Sequence, residues 1–424
     1  MGPPPSPPSE LMEELVEEVL LRFPPDDPAS LVRAALVCRL WRRLVSAAAF
    51  RRRFLEFHRR PTLLGILCDG QNEPFPDEDE YGMLPTACFV PTSSFRPARA
   101  AGHYGQRAID ARHGRVLLHH VPSESGSLRT PCRVDLSVWD PITDEQRVLP
   151  SLPVHMFRNP RSWNAAVLCA ATASGGTGCD HLDCHRKPFM VVFMGIKNSR
   201  MFACIYASDK ASAWSEVAIT DLHCNYFEPA PGVLVGNTLH FLAYSGYAIA
   251  NYDMATCAIS VLHLPWEFRY PNIMLVTTED GRLGLANMDG KYKLCLWSME
   301  VDNNKDATFV PTSRVINLEK LVDNNKDATL VPSRVIDLEK LLPVNALKVS
   351  LYLSGFAEGA RLIFVWTFDG LYSIDMMSKQ VKKVSGCYAL DVVPYLSFHT
   401  SELEATSTCD GPPTDQERAS FPIA

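Results

Sequence analysis

Short apolar runs separated by turn residues recur along most of this chain, and this repetition limits the folds that it can adopt. Each run is bounded by Gly, Pro, Asp or Asn, which is the pattern of a β-strand between turns. The runs share one phrase, in which a strand, a turn and a second strand ending near an aromatic residue or Asp precede a polar turn and a further strand. The clearest runs lie at 115–120, 134–140, 189–196, 200–207, 238–245, 361–368 and 370–376.

This phrase returns at intervals of roughly 40–50 residues, which is typical of β-propeller blades. Radial stacking would bury both faces of each blade and leave only short edges exposed. We therefore predict an all-β propeller of about six blades, with five to seven possible, over residues 100–397. Residues 59–99 form either a connecting segment or a first partial blade. A β-sandwich is the alternative fold.

The N-terminal part of the chain has a different period. Leu11, Leu15 and Val19 recur every four residues, which predicts an amphipathic helix. Pro24 ends that helix, because proline lacks an amide donor and clashes with the preceding turn. Apolar residues then continue at helical spacing, so we predict a small all-α unit of three or four helices over residues 9–58. The fold class of the whole chain is therefore α+β and multidomain.

A helical unit of this size buries little apolar surface on its own. We expect part of its apolar face to belong to a partner, although a small bundle packed on the rest of the chain is an open alternative. The arginines of the segment do not predict nucleic-acid binding, since neighbouring acids nearly balance them and no aromatic stacking platform lies among them. The net charge of −7 also gives no overall attraction to nucleic acid or to anionic lipid.

The order of residues in this segment resembles an F-box. The resemblance is carried by LVEEVLLRFP at 15–24, LVR at 31–33 and LVCRLWRRL at 36–44, and it covers about residues 9–57. Met12 stands where the family has proline, and Phe23 stands where it has leucine. The strand-rich remainder resembles the F-box-associated β-propellers of plant F-box proteins, of the grass type in particular.

The resemblance implies that the helices dock on a Skp-type adaptor, which links them to a cullin scaffold in an SCF-type E3 ubiquitin ligase. The propeller would bind an unknown target protein, so the chain would be a non-catalytic substrate receptor. A propeller-based enzyme or carbohydrate-binding protein with an incidental helical leader is the alternative. By position in the family pattern, the residues at or beneath the adaptor interface are Leu11, Leu15, Val19, Leu20, Pro24, Leu31, Val37, Cys38 and Trp41.

The cysteines and the chain ends bear on the compartment. Thirteen cysteines without close pairing predict free thiols in a reducing environment. The N-terminus lacks the basic start and apolar run of a secretory signal, and no segment approaches the ~20 apolar residues that span a bilayer. We therefore expect the cytoplasm, the nucleus or both, and no membrane. Residues 1–8 and 398–424 are expected to be a disordered leader and tail.

The sequence predicts no catalytic residue, no cofactor and no metal site. The stretch 179–185 holds cysteine and histidine, but it has no second cysteine pair at zinc-finger distance, and its glycine-rich flank indicates a polar loop. The glycines at 284 and 290 are too far apart for a phosphate loop and predict a hairpin turn. Loops 123–131, 174–187 and 266–272 are candidates for target binding by position alone.

A near-identical phrase occurs twice in succession, at 301–321 and 322–341. A single close pair indicates a local duplication or an error of sequence assembly, because repeat architectures need three or more units that have diverged. One blade has room for one copy, since a slip of register would reverse its faces. The second copy runs directly into Leu342 and Pro343, so we predict that it keeps the native place and that the first is extruded as a loop.

Overall fold

The structure is a computed structural model that describes part of the chain. The predicted leader 1–8 and tail 398–424 lie outside the described residues, as do 302–306 and 311–333 within the duplicated phrase. The described residues are 13–25, 27–58, 61–69, 86–99, 102–121, 134–152, 160, 162–174, 179, 181, 184, 187–198, 200–209, 213–221, 226–243, 248–264, 272–301, 307–310, 334–348, 351–386 and 389–397.

The chain divides into two compact units, with the boundary between Arg59 and Arg60. The first unit contains four helices, as the helical spacing predicted: α1 (Glu13–Leu21), α2 (Pro28–Ala35), α3 (Arg39–Ser46) and α4 (Ala48–His58). Pro28 starts α2, where its missing amide is harmless because first-turn amides have no partner in the helix. None of the described helices is long and apolar enough to cross a membrane.

The second unit contains all of the described strands, and the seven runs quoted from the sequence all form strands. The bounds are β1 (Leu63–Asp69), β2 (Thr86–Pro91), β3 (His103–Tyr104), β4 (Gln106–Arg112), β5 (Arg115–His120), β6 (Asp135–Trp139), β7 (Gln146–Val148), β8 (Ser162–Cys169), β9 (Phe189–Lys197), β10 (Arg200–Ala207), β11 (Ala218–Thr220), β12 (Val233–Val235), β13 (Thr238–Ala243), β14 (Ala248–Asp253), β15 (Ala258–His263), β16 (Ile273–Thr277), β17 (Leu283–Asp289), β18 (Lys293–Val301), β19 (Ala307–Val310), β20 (Arg334–Asp337), β21 (Tyr352–Ala357), β22 (Leu362–Thr367), β23 (Gly370–Asp375), β24 (Val381–Ser385) and β25 (Val392–Leu396).

Most strands pair with their neighbours in sequence, so the sheets are antiparallel meanders. Strands β8–β11, β12–β15 and β21–β24 each form a four-stranded sheet, and β16–β20 form a five-stranded one. Consecutive sheets face each other across apolar layers. The sheet of β8–β11 packs one face against residues of β5 and β6 and the other against β13 and β14. Face-to-face stacking of successive meanders is the architecture of a β-propeller.

The prediction of about six blades was wrong as a count of separate sheets, since the described residues give four separate blades. The other eight strands share one sheet, in which β25, β1 and β2 lead on to β4, β5, β6 and β7, with β3 paired to β2. A single parallel pair, Thr86 with Gln106, joins the two halves of this sheet. Its strand β25 pairs antiparallel with β1, with Pro394 opposite Ile66, so the last strand of the unit lies beside the first.

The duplicated phrase is arranged differently from our prediction. The second copy does supply β20, which pairs with the first half of β18 through Arg334 and Leu296. The first copy is not wholly extruded, because its residues Ala307–Val310 form β19 and pair with the second half of β18. The edge that one copy would supply is thus built from the front of the first copy and the back of the second. Each half of β18 pairs with an edge strand, and the two copies supply one edge strand each.

Candidate functional site

Leu15 and Val19 lie one turn apart on α1, and both side chains are about half exposed, at 50% and 54%. Residues four apart share one face of a helix. The other side of α1 is in the core, where Val16, Leu20 and Leu21 are buried. This helix therefore has apolar residues on two sides, and only one side is buried.

A second exposed apolar pair follows α2. Leu36 is 69% exposed and Val37 is 66% exposed, directly after the buried Ala34 and Ala35. Backbone hydrogen bonds fix the turn, since the amide of Leu36 donates to the carbonyl of Val32 at 3.2 Å and that of Val37 donates to Ala34 at 3.1 Å. This turn therefore keeps the side chains of Leu36 and Val37 exposed to solvent. Exposed apolar groups of this kind mark interaction surfaces when they cluster.

The predicted adaptor-binding residues fall into four groups in the structure. The exposed ones are Leu15, Val19, Pro24, Val37 and Cys38; Leu20 and Leu31 are buried; Trp41 is half-buried; and Leu11 lies outside the described residues. Leu36 was not in the predicted set. The name apolar docking face is used for these two exposed pairs taken together, Leu15 with Val19 on α1 and Leu36 with Val37 after α2.

Ion pairs hold α1 against the helices that follow. One guanidinium nitrogen of Arg43 lies 2.9 and 2.8 Å from the two carboxylate oxygens of Glu13, which ties α3 to α1. Arg53 on α4 lies 2.7 Å from Glu17 and 2.9 Å from Glu18. Exposed pairs contribute at most about 1 kcal/mol each. Their main consequence is that both arginines are neutralised within the unit.

The second unit contains a cluster of four metal-ligand side chains at one end of the β8–β9 hairpin. The ligand atoms of Cys169, Cys179, His181 and Cys184 all lie within 4.8 Å of one another. Cys169 is the last residue of β8 and pairs with Phe189, the first residue of β9. The stretch 179–185 considered from the sequence did not include Cys169. Strand pairing, and not proximity in the chain, brings Cys169 to the other three ligands.

A buried charged group joins three parts of the propeller. Arg112 at the end of β4 lies 3.2 Å from Asp110 and 3.1 Å from Glu358, in the turn after β21, and it donates to the carbonyl of Gly232 before β12. Asp110 also accepts the amide of Val167 at 2.9 Å. Burial raises the pKa of both carboxyl groups, and Arg112 opposes that rise. The carboxylates of Asp110 and Glu358 therefore help to hold together the parts of the propeller that carry these residues.

Two families match the chain. The F-box domain family matches residues 9–53. The family described as "F-box protein AT5G49610-like, beta-propeller" matches residues 107–397, which is more than half of the chain. The chain belongs to this F-box β-propeller family. The helices of this F-box protein therefore form its F-box, and the predicted resemblance to plant F-box proteins is confirmed, while the grass type stays a prediction.

Solved structures give only distant likenesses to this F-box protein. A nidogen/laminin complex has 8% identity and a TM-score of 0.36, covering 78% of this chain and 98% of that chain. A putative 6-phosphogluconolactonase from Bacteroides uniformis has 9% identity and a TM-score of 0.31, covering 78% and 97%. A luciferin-regenerating enzyme has 11% identity and a TM-score of 0.33, covering 70% and 79%. No curated protein matches the sequence.

Proposed function

We propose that this F-box protein is the substrate-recognition subunit of an SCF-type ubiquitin ligase. Its F-box binds a Skp-type adaptor, and through it a cullin scaffold, while its propeller binds the target protein. The observation that supports this proposal is the apolar docking face of the F-box, with Leu15 and Val19 exposed on α1 and Leu36 and Val37 exposed in the turn after α2. An adaptor that covered these side chains would remove apolar surface from water.

Burial of the apolar docking face would supply part of the free energy that a stable complex needs. Full burial of a Val or Leu side chain stabilises by about 1.5–3 kcal/mol. Four such side chains, each already partly covered, give a gross gain of several kcal/mol, from which the loss of translational and rotational freedom must be subtracted. The half-buried Trp41 adds an aromatic anchor of the kind that dominates binding energy in many interfaces. The ion pairs of Arg43 and Arg53 hold the helices that present these groups.

The proposal assigns no chemical step to this chain. A substrate receptor raises the local concentration of its target near the ubiquitin-charged enzyme, and this proximity is its contribution to rate. The buried carboxylates Asp110 and Glu358 are engaged by Arg112, which gives them a structural role. No nucleic acid and no membrane has a part in this function.

We also propose that the eight-stranded sheet comprises two blades, which would give six in total. One half contains β25, β1, β2 and β3, and the other contains β4–β7, so each half has the strand number of a blade. An apolar cluster packs Leu67 and Phe89 of the first half with Leu118 and Trp139 of the second. Separate blades of this propeller face each other across similar layers. A crystal structure with these eight strands in two four-stranded sheets would confirm this count, and one continuous eight-stranded sheet would contradict it.

The compartment proposed for this protein is the cytoplasm, the nucleus or both. The described cysteines form no disulfide, and several of them are buried in the propeller. Thiols of this kind persist in compartments that keep glutathione reduced. Localisation of a fluorescent fusion in plant cells would test the proposal, and a signal confined to the secretory pathway would contradict it.

Co-purification of the full chain with a Skp-type adaptor tests the main proposal. The variant Leu15→Asp/Val19→Asp places two charges on the apolar docking face without touching the core, so it should abolish co-purification. Val344→Asp is a matched control, because Val344 is 81% exposed and lies in the second unit. If the wild-type chain fails to bind the adaptor, or if the double variant binds as well as the control, the proposal is wrong.

A further inference from the structure

The cluster at the end of the β8–β9 hairpin has the ligand chemistry of a structural metal site. Three thiols and one imidazole are the donors that zinc takes in Cys3His sites. The donors come from two places in the chain, because Cys169 ends β8 and the other three precede β9. The hairpin is closed beneath them, since the amide of Ala170 donates to the carbonyl of Pro188 at 3.0 Å. Folding of the blade therefore assembles the set.

Three distances in the cluster lie close to the edges of a zinc tetrahedron, and all four ligand atoms lie within 4.8 Å of one another. Bonds of about 2.3 Å to sulfur and 2.0–2.1 Å to nitrogen place sulfur atoms about 3.8 Å apart and a nitrogen about 3.6 Å from each sulfur. The Sγ atom of Cys179 lies 3.5 Å from that of Cys184 and 3.9 Å from that of Cys169. The Nδ1 atom of His181 lies 3.6 Å from the Sγ atom of Cys184.

Neighbouring groups support the cluster in the way that outer ligands support a metal site. The ring of His113 stacks on that of His181, with centroids 4.0 Å apart and planes 16° from parallel. The Nδ1 atom of His113 accepts the backbone amide of Cys169 at 3.0 Å, so one residue positions two of the donors. Such outer contacts fix ligand orientation in metal sites.

The charge around the cluster also fits a metal thiolate. Three thiolates and one Zn²⁺ carry a net charge of −1, which must be compensated where solvent is scarce. The Nζ atom of Lys187 lies 3.3 Å from the Sγ atom of Cys179. The backbone of Lys187 is fixed in turn, because Arg115 donates to its carbonyl oxygen at 2.5 Å. A cation is thus held beside the sulfur atoms.

From these observations we propose that Cys169, Cys179, His181 and Cys184 bind one structural zinc ion. Soft thiolate donors with one imidazole favour zinc over the hard cations magnesium and calcium. Four protein donors fill a tetrahedron, so the ion holds the chain and has no open position for substrate. It fixes the segment between β8 and β9 onto its own blade. That segment includes 174–187, one of the loops that position alone marks for target binding.

The full-length chain, purified without added metal, tests this proposal by elemental mass spectrometry. We expect one zinc ion per chain after gel filtration with a weak chelator. Replacement by Co²⁺ should give the visible absorption of a tetrahedral site together with a thiolate-to-cobalt charge-transfer band. The variants Cys179→Ser and His181→Ala should lower the zinc content at least about tenfold.

Matched variants separate this site from adventitious binding. Cys257→Ser and His263→Ala remove the same side-chain types at exposed positions of another blade, and both should keep the full zinc content. A wild-type chain without zinc and without the cobalt–thiolate band overturns the proposal. Equal zinc content in Cys179→Ser and Cys257→Ser overturns it as well, as does a mass two hydrogens lower, which would show a disulfide.

If a ligand variant does not fold, chelation of the wild-type chain still tests the proposal. Chelation of the wild-type chain should lower Tm, and added Zn²⁺ should restore it, because an ion that binds only the folded state stabilises that state. The same treatment should leave Tm unchanged in His181→Ala. A Tm that does not respond to chelation in a zinc-loaded wild-type chain contradicts a structural role.

Discussion

The imidazole of His113 lies flat on the imidazole of His181, with ring centroids 4.0 Å apart. His113 sits in the tight turn between β4 and β5 and has a positive φ of 51°, a region that asparagine also tolerates. His113→Asn should therefore keep the turn while it removes the stacked ring. We expect the zinc affinity to fall about tenfold, measured by competition with a chromophoric chelator. An unchanged affinity would show that the ring does not position His181.

The exposed and buried leucines of the F-box should have separate effects. Leu36→Ala should weaken adaptor binding by about 1 kcal/mol or more and leave Tm unchanged, since Leu36 is largely exposed. Leu20→Ala should lower the stability of the F-box by about 2–5 kcal/mol, because Leu20 is fully buried. Calorimetric titration with the adaptor and thermal unfolding distinguish the two. A loss of stability in Leu36→Ala would place Leu36 in the core.

Arg112→Met should destabilise the propeller by about 3–5 kcal/mol, because the buried carboxyl groups of Asp110 and Glu358 would lose their cation. Without that cation, the pKa of Asp110 rises further above its usual value. A raised carboxyl pKa weakens the folded state as pH rises, so the loss should be larger at pH 7.5 than at pH 5. Denaturant unfolding at the two pH values measures this. Arg112→Met/Asp110→Asn should recover part of the stability at pH 7.5.

We expect the protein to lose stability in mild acid because of His119. Burial lowers the pKa of His119 to about 4, with a further contribution from Arg107 and with Asp135 opposing the shift. The pKa of an unfolded histidine is about 6.5. The stability that depends on a neutral His119 is therefore fully present above pH 6.5 and is lost as pH falls toward 4. His119 as a whole is partly exposed, so we expect about 2 kcal/mol. His119→Phe preserves the packing on Trp163 and should flatten the pH dependence of unfolding in this window.

Deletion of residues 301–321 should leave the fold intact. The second copy then supplies both edge segments of β18, which β19 and β20 now supply separately. Closing a shorter loop changes the free energy of unfolding only slightly, since closure entropy depends on the logarithm of loop length. Tm should stay within a few degrees of wild type, and adaptor binding should be unchanged. A deletion variant that aggregates would show that the first copy contributes more than an edge strand.

The helices and strands were well predicted from the sequence because helical spacing and strand patterns occupy different parts of the chain. The run 115–120 matches β5, and 200–207 matches β10, since buried strands between turn residues leave little choice of state. The four helices followed from apolar spacing and from the proline break at Pro24. The F-box was predictable for a further reason, because many residue types agree with the family in order.

Three features could not be derived from the sequence, and the first two depend on strand pairing between residues far apart in the chain. Cys169 joins the metal-ligand cluster through its pairing with Phe189. The sheet count depends on one pair, Thr86 with Gln106, which no local pattern indicates. The exposure of Leu36 depends on a turn that follows α2, whereas helical periodicity alone places it in the core.

The pairing of Ile66 with Pro394 has a consequence for synthesis on the ribosome. Elongation at roughly 5–20 residues per second leaves β1 without β25 for tens of seconds, so the nascent ring stays open after the F-box has emerged. An open strand edge invites association with other chains. Newborn molecules should therefore depend on chaperones until termination, and any premature stop codon upstream of β25 should yield an insoluble product.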